Sequence, residues 1–355
     1  MITIGADVHL KTTTMTVINH DGTKITRRKI NNDPDELVEF VRQFPGPKQF
    51  AMESCYTWPA VYELMNKEFD QFHLLHATKM KNIIESQSKC DKHDADEIAL
   101  LTHRGYIPAA HTANAQTRQL RGLLRTRVGL ARDIAGIKNH IQAILNANTF
   151  YSQRPKNFKD IFCKRGLAYL QSIHFPEQDQ FTISQLFKQK EHLEQLKKQF
   201  DERIQALHAD DPDLRILRTA PGMNGKVLNY IVLAEIDTID RFRNSDALIA
   251  YAGLVARDKS SGDKQRKGRL RTACNQYLKW ALIEAAVPAM LKDKALRDYY
   301  RKVKESYHGS AAKIAVARRL LRSIYHMLKE QRPYSSNGRP QITHMMTLSS
   351  ASSAR

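Results

Sequence analysis

Cysteine is scarce and scattered. Cys55, Cys90, Cys163 and Cys274 are the only four in 355 residues, and none forms a Cys-x-x-Cys pair. That spacing argues against a zinc ribbon or a disulfide framework and fits a reducing compartment, the cytoplasm. No run of about 18 apolar residues occurs, and the first residues lack a basic stretch followed by an apolar one. Neither a membrane span nor a secretory signal is therefore expected. Acid is in deficit: 37 Asp and Glu face 56 Lys and Arg, a formal charge of +19. With no membrane anchor in view, that excess points to nucleic acid as the polyanionic partner.

What is present is unevenly spread. Residues 1–110 carry 13 Lys and Arg against 15 Asp and Glu, whereas residues 111–355 carry 43 against 22. At about 150 residues per domain the length predicts two or three domains, and 42% hydrophobic residues can fill their cores. The expected order is an α/β domain over 1–110, long helices over 111–210 for nucleic-acid contact and oligomerisation, a mostly α-helical domain over 211–332, and a disordered tail rich in Ser, Asn, Gly and Pro over 333–355.

Ile2 to Asp7 alternates as a strand and ends in an acid. Lys11–Asn19 and Lys24–Ile30 are the next strands, joined by the Asp21-Gly22 turn. Asp33 is placed to cap a helix beginning at Pro34, with Glu36 at its third position. Gln49–Glu53 is a strand that again ends in an acid. A helix over Thr57–Phe69, a strand over Phe72–His76, and helices near Lys79–Ser86 and over Asp91–Arg104 follow. The alternation indicates α/β, and three antiparallel strands with an acid on the first indicate an RNase H-like fold.

The texture then becomes helical. Thr117–Asn148 and Thr182–His208 carry long apolar stripes and are expected to form an antiparallel or intermolecular coiled coil. Arg118, Arg121 and Arg125 lie along the first, either as a solvated face or as a nucleic-acid contact. Phe150–Phe175 has no assignable pattern. Ala220-Pro221-Gly222-Met223-Asn224-Gly225, followed by Lys226, is either an ordinary helix–helix turn or a set of N–H groups offered to phosphate. Helices are expected over Ser245–Tyr251, over Asn275–Leu291 with Trp280 in its core, and over Ala311–Lys329, whose polar side carries Lys313, Arg318, Arg319 and Arg322.

Four carboxylates stand out. Asp7 and Glu53 end strands, and Asp91 and Asp94, three apart on one helix, share a face. Each alone reads equally as a helix cap, a surface charge or an ion-pair partner. Together they repel one another unless a cation binds, and hard oxygen donors without Cys or His suit Mg²⁺ or Mn²⁺. Two such ions can clamp a scissile phosphate. Asp96 and Glu97 share the helix but point away from the Asp91/Asp94 face; His9 and His93 are neighbours in sequence.

Arg257 to Arg271 sets Ser260-Ser261-Gly262 inside a basic run containing Lys259, Lys264, Arg266, Lys267, Arg269 and Arg271. By itself this is a solvated loop touching phosphate, or a serine held where nucleic acid passes. The set Asp7, Met52-Glu53-Ser54 and Asp91-Lys92-His93-Asp94-Ala95 resembles the RuvC-like half of the DEDD insertion-sequence transposases, a family that includes Piv-type invertases and bridge-RNA-guided recombinases. Ala220-Pro221-Gly222, Arg241-Phe242, Tyr251-Ala252-Gly253-Leu254, Ser261-Gly262, Asn275-Gln276-Tyr277-Leu278 and Ala317-Arg318-Arg319 follow in the family's order, so the resemblance spans about 2–334. Ala273-Cys274-Asn275 departs from it, since the family commonly has Gly before the Asn. The resemblance implies a composite site in which Asp7, Glu53, Asp91 and Asp94 hold Mg²⁺ and the scissile phosphate. The serine before the Gly, Ser261 in preference to Ser260, forms a covalent phosphoserine. It also implies double-stranded DNA and a structured guide RNA as partners, a tetramer, and association with the nucleoid when bound to DNA. Two rival readings stay open: a RuvC-like nuclease in which water attacks, and a non-catalytic nucleic-acid-binding protein.

Overall fold

The computed structural model describes residues 1–77, 79–80, 94–149, 160–207, 211–225, 227–261, 264–270 and 272–336. The chain divides into two compact units, Met1–Ala113 and Asn114–Arg355.

The first unit is built on a five-stranded mixed sheet of order β3-β2-β1-β4-β5. Strands β1 (Ile2–Val8), β2 (Thr12–Ile18) and β3 (Lys24–Asn31) are antiparallel neighbours, and Gly22 supplies the positive φ of the turn between the last two. β4 (Lys48–Glu53) and β5 (Gln71–Leu75) run parallel to β1, reached through helices α1 (Pro34–Arg42) and α2 (Trp58–Met65). Asp33 caps α1, accepting from the N–H groups of Asp35 and Glu36. Helix α2 stops at Met65, four residues short of the expected Phe69.

Side chains alternate across a sheet with period two. Ile4, Ala6, Met15, Val17, Phe50, Met52 and Leu74 pack with Leu37, Phe40, Val41, Val61 and Met65 of α1 and α2. The residues between them on β1, β2 and β4 are small: Thr3, Gly5, Thr16 and Ala51. Helix α3 (Asp94–His103) lies on that other face with Ala95, Ile98, Ala99 and Thr102 buried. The approach is so close that a Cβ on Gly5 would stand 2.3 Å from the Ala99 nitrogen and 2.7 Å from the Ala95 carbonyl oxygen. The expected helix near Lys79–Ser86 and the first residues of the Asp91 helix fall outside the described residues.

Among the described residues the regular structure of the second unit is helical apart from one two-stranded ribbon. Helix α4 (Ala115–Asn148), capped by Asn114, and helix α6 (Glu177–Leu207) pack antiparallel within the chain. Their sense follows from side-chain pairs: Arg127 near the start of α4 binds Asp201 near the end of α6 at 2.7 Å, and Asn148 at the end of α4 donates to Asp179 at 2.8 Å. Helix α5 (Lys164–Ser172) occupies part of the stretch without assignable pattern. Helices α7 (Pro212–Thr219), α8 (Leu228–Ile236), α9 (Ser245–Tyr251), α10 (Gln276–Lys292), α11 (Lys294–Ser306) and α12 (Gly309–Lys329) surround the main core. Leu120, Leu124 and Val128 of α4 and Ile204 of α6 belong to the same core, so the boundary expected at 210/211 runs through it.

Three expectations change here. Trp280 is only half-buried and packs against the core from outside. Helix α11, which the apolar pattern did not reveal, is capped by Asp293, accepting from the Leu296 N–H. Residues 333–336 belong to the fold rather than to a disordered tail: Tyr334 donates its N–H to Thr219 Oγ1 and its hydroxyl to Asp293.

Gly5→Val should destabilise the protein by about 3 kcal/mol, because both obstacles are backbone and cannot turn aside. Denaturant unfolding of the purified variant reads the loss directly.

Candidate active site

Ala6 and Met52 are register partners in the parallel pair β1/β4, so Asp7 and Glu53 follow side by side along the two strands. Asp7 is partly buried, and its Oδ2 lies 2.9 Å from His9 Nε2. The run of α3 brings a third acid to the same end. Its last residue, His103, is beside Gly22, at the turn that adjoins the start of β1, and Ala95 is over Gly5. The helix therefore runs antiparallel to β1, and Asp94, its first residue, opens it at the end where Asp7 and Glu53 stand. Asp91 and His93 lie outside the described residues. Among the described residues no three acid, His or Cys side chains are close enough to hold a metal ion. The structure thus brings three acids to one sheet end without closing them into a ligand shell.

Asp96 has a different task. It accepts hydrogen bonds from Thr16 and Lys24 and pairs with Arg27, pinning α3 to β2 and β3. Burial works against its charge, but the bonds from Lys24 and Thr16 and the two cations outweigh it and hold the carboxyl below its ordinary value.

In the second unit the basic run is no loop. β6 (Ala256–Ser261) and β7 (Lys264–Leu270) form an antiparallel ribbon in which Lys259 faces Arg266, Ser260 faces Gln265 and Ser261 faces Lys264. Ser261 is the last paired residue before the tip. Lys226, Gly262, Asp263 and Arg271 fall outside the described residues.

The root of the ribbon is held by a buried charge network. Asn275, the cap of α10, donates its N–H to the Tyr251 carbonyl at 2.9 Å. Its Nδ2 donates to the Tyr251 hydroxyl at 2.9 Å and to Glu235 at 2.8 Å. Glu235 is 1% exposed. Arg125 grips it with two bonds of 2.9 Å, Arg121 approaches to 3.7 Å, and Arg241 donates to its backbone carbonyl at 3.1 Å. The Arg241 guanidinium lies over the rings of Phe242 and Tyr251. The bonds to Glu235 raise the pKa of Arg125 against the opposing effect of burial, while burial lowers that of Arg121. Arg121 and Arg125, read from sequence as a solvated face or a nucleic-acid contact, are here partners of Glu235, with Arg125 still exposed; Arg118 is half-buried one turn earlier. Glu235 was not singled out from sequence. Its signal is a lone acid in Ile231-Val232-Leu233-Ala234-Glu235-Ile236.

Two family models match the chain. One, described as a transposase and covering the DEDD domain of the IS110 type, matches residues 4–149. The other, described as the transposase IS116/IS110/IS902 family, matches 214–301. A protein of insertion element IS116 from Streptomyces clavuligerus is 26% identical over 136 residues, 38% of this chain and 34% of that protein. A probable family 20 transposase from Pseudomonas aeruginosa is 24% identical over 71% of this chain and 73% of its own length. The transposase for insertion sequence element IS1111A from Coxiella burnetii is 22% identical, over 60% and 58% respectively.

Glu235→Gln should cost about 3 kcal/mol, since it leaves the largely buried Arg121 guanidinium without its counter-ion; equilibrium unfolding measures it. Asp96 contributes stability above the ordinary carboxylate pKa that is lost as pH falls through its lower folded value. Asp96→Asn should therefore flatten the acid limb of the stability–pH curve below about pH 4.

Proposed function

The chain belongs to the IS110/IS116 family of insertion-sequence transposases, and from that premise we propose that it cleaves and rejoins DNA through a covalent phosphoserine at Ser261. The observation that carries the reading is the convergence of Asp7, Glu53 and Asp94 on one end of the first unit's sheet. All three are hard oxygen donors, which suits a divalent cation such as Mg²⁺. With Asp91 they would hold it in a RuvC-like domain, and the bound ion would supply charge stabilisation to a phosphate.

The chain's own residues supply the rest. A serine hydroxyl is a weak nucleophile until activated. Ser261 Oγ attacks phosphorus; the new serine O–P bond replaces one bridging P–O bond of the DNA, and the proton from serine ends on the leaving hydroxyl of the cut strand. The phosphodiester energy is kept, so a hydroxyl from a new DNA end can reverse the step without ATP. The ribbon that carries Ser261 is basic in sequence, with Lys259, Lys264, Arg266, Lys267 and Arg269 in its strands to hold the duplex. A structured guide RNA and a tetrameric assembly accompany this reading, on the resemblance to bridge-RNA-guided recombinases.

Ser261→Ala should lose strand transfer by on the order of 10⁴-fold or more and yield no protein–DNA adduct on a denaturing gel. Continued cleavage without adduct would instead establish water as the nucleophile. Asp7→Asn and Asp94→Asn should retain DNA binding and lose cleavage by at least about 10²-fold; retained recombination in both would remove the carboxylates from the reaction.

A further inference from the structure

Helix α12 carries a row of cations that neither the carboxylates of the first unit nor the serine ribbon uses. Arg318, Arg319 and Arg322 line one wall of a groove of about 940 Å³. Tyr299 of α11, Arg332 and Tyr334 line the same groove.

Two of these arginines are fixed in place without being neutralised. Arg318 donates from Nε and Nη2 to the Leu254 carbonyl oxygen at 2.9 and 2.6 Å, which orients the guanidinium and leaves its charge. The Arg319 guanidinium lies 5.0 Å from the centre of the Tyr299 ring, a contact that also preserves charge. Among the described residues neither is within ion-pair distance of a carboxylate. The acids that face the groove are few. Asp246 pairs with Arg322 at 2.7 Å with both side chains at least half exposed, so the pair is weak. Glu330 is shared by His326 and Arg332, and Asp293 is buried, accepting from Tyr334. The groove therefore keeps a positive surplus beside an aromatic wall.

The geometry points to a single strand of nucleic acid as the occupant, held by its phosphates on Arg318, Arg319 and Arg322 with a base against Tyr299. Cations along a groove with an aromatic wall form the arrangement that binds unpaired strands, because every base has a stacking face. Reading the bases of a duplex takes the opposite shape, an element that protrudes into a groove about 12 Å wide. The inference rests on the proposed function only in taking nucleic acid as the partner. It does not involve Ser261, and its readout is binding without cleavage, so the two readings fail separately.

The test uses the full chain and three labelled probes of one sequence: single-stranded RNA, single-stranded DNA and duplex DNA. Fluorescence anisotropy is followed between 50 and 300 mM salt. Arg319→Gln with Arg322→Gln should weaken single-strand binding by about tenfold or more and lower the slope of log K against log salt by about 1.4. Duplex binding should change little. A loss on RNA, on DNA or on both supports the groove and names the strand it takes. Tyr299→Leu should weaken single-strand binding with the slope unchanged. Unaltered single-strand affinity and slope in the double variant would overturn the proposal, as would an equal loss on duplex. So would displacement of the strand by inorganic phosphate at the same phosphate concentration. Should the double variant not fold, Ser323→Asp, which places a negative charge in the groove wall, must show the same loss; unchanged binding there also refutes the inference.

Discussion

Glu235 sits in a helix whose residues from Asn229 to Ile236 are all buried, and a carboxylate there costs several kcal/mol in lost hydration. Separate segments bring donors to it. Arg121 and Arg125 come from the long helix α4, and Asn275 comes from the cap of α10. Arg241, from the 3₁₀ turn after α8, binds the carbonyl of the same residue. No one of these contacts is worth much net of desolvation, and an apolar replacement could match their sum. What an apolar residue would not do is require one arrangement. The carboxylate ties α4 to the cap of α10, and Asn275 in turn binds the carbonyl and hydroxyl of Tyr251, so the segments on either side of the ribbon meet there.

The first unit meets the opposite requirement, for absence rather than presence. Thr3, Gly5, Thr16 and Ala51 leave one face of the sheet nearly flat, which lets α3 rest on β1 at backbone distance. A side chain at Gly5 would lift the helix and with it Asp94. The cost of gathering acids at one sheet end is thus met by apolar packing elsewhere, on the α1/α2 face and beneath Ile98 and Ala99. Asp96 contributes as well, because its bonds to β2 and β3 fix the rotation of α3 and so determine which way Asp94 leaves it.

Much of this was legible in the sequence. Strand alternation, the Asp33 cap and the 3.6-residue stripe of α4 are local signals, and they read correctly because local and tertiary preferences agree there. The three acids at strand and helix ends were visible for the same reason. What was not legible depends on partners distant in the chain. The basic run reads as a loop because charge and glycine suppress strand propensity, yet pairing between its two halves makes it a ribbon. Arg121 reads as a surface cation because its partner lies 114 residues away. Tyr334 reads as tail because Asp293 and Thr219, which hold it, are 41 and 115 residues back.

A cation bound inside the fold is unavailable to phosphate, and Arg121 and Arg127 are of that kind. Internal pairing nevertheless cannot reduce the surplus, because each one-to-one ion pair consumes one cation and one acid. The excess of 19 survives any number of such pairs and must appear where acids are few. The ribbon is one such place, with seven Lys and Arg against two Asp from Arg257 to Arg271. The groove on α12 is another, where Arg318 and Arg319 are anchored by a carbonyl and an aromatic ring instead of carboxylates. Anchoring a guanidinium without neutralising it spends little of its attraction for phosphate, and it removes the side-chain entropy that a free arginine would lose on binding.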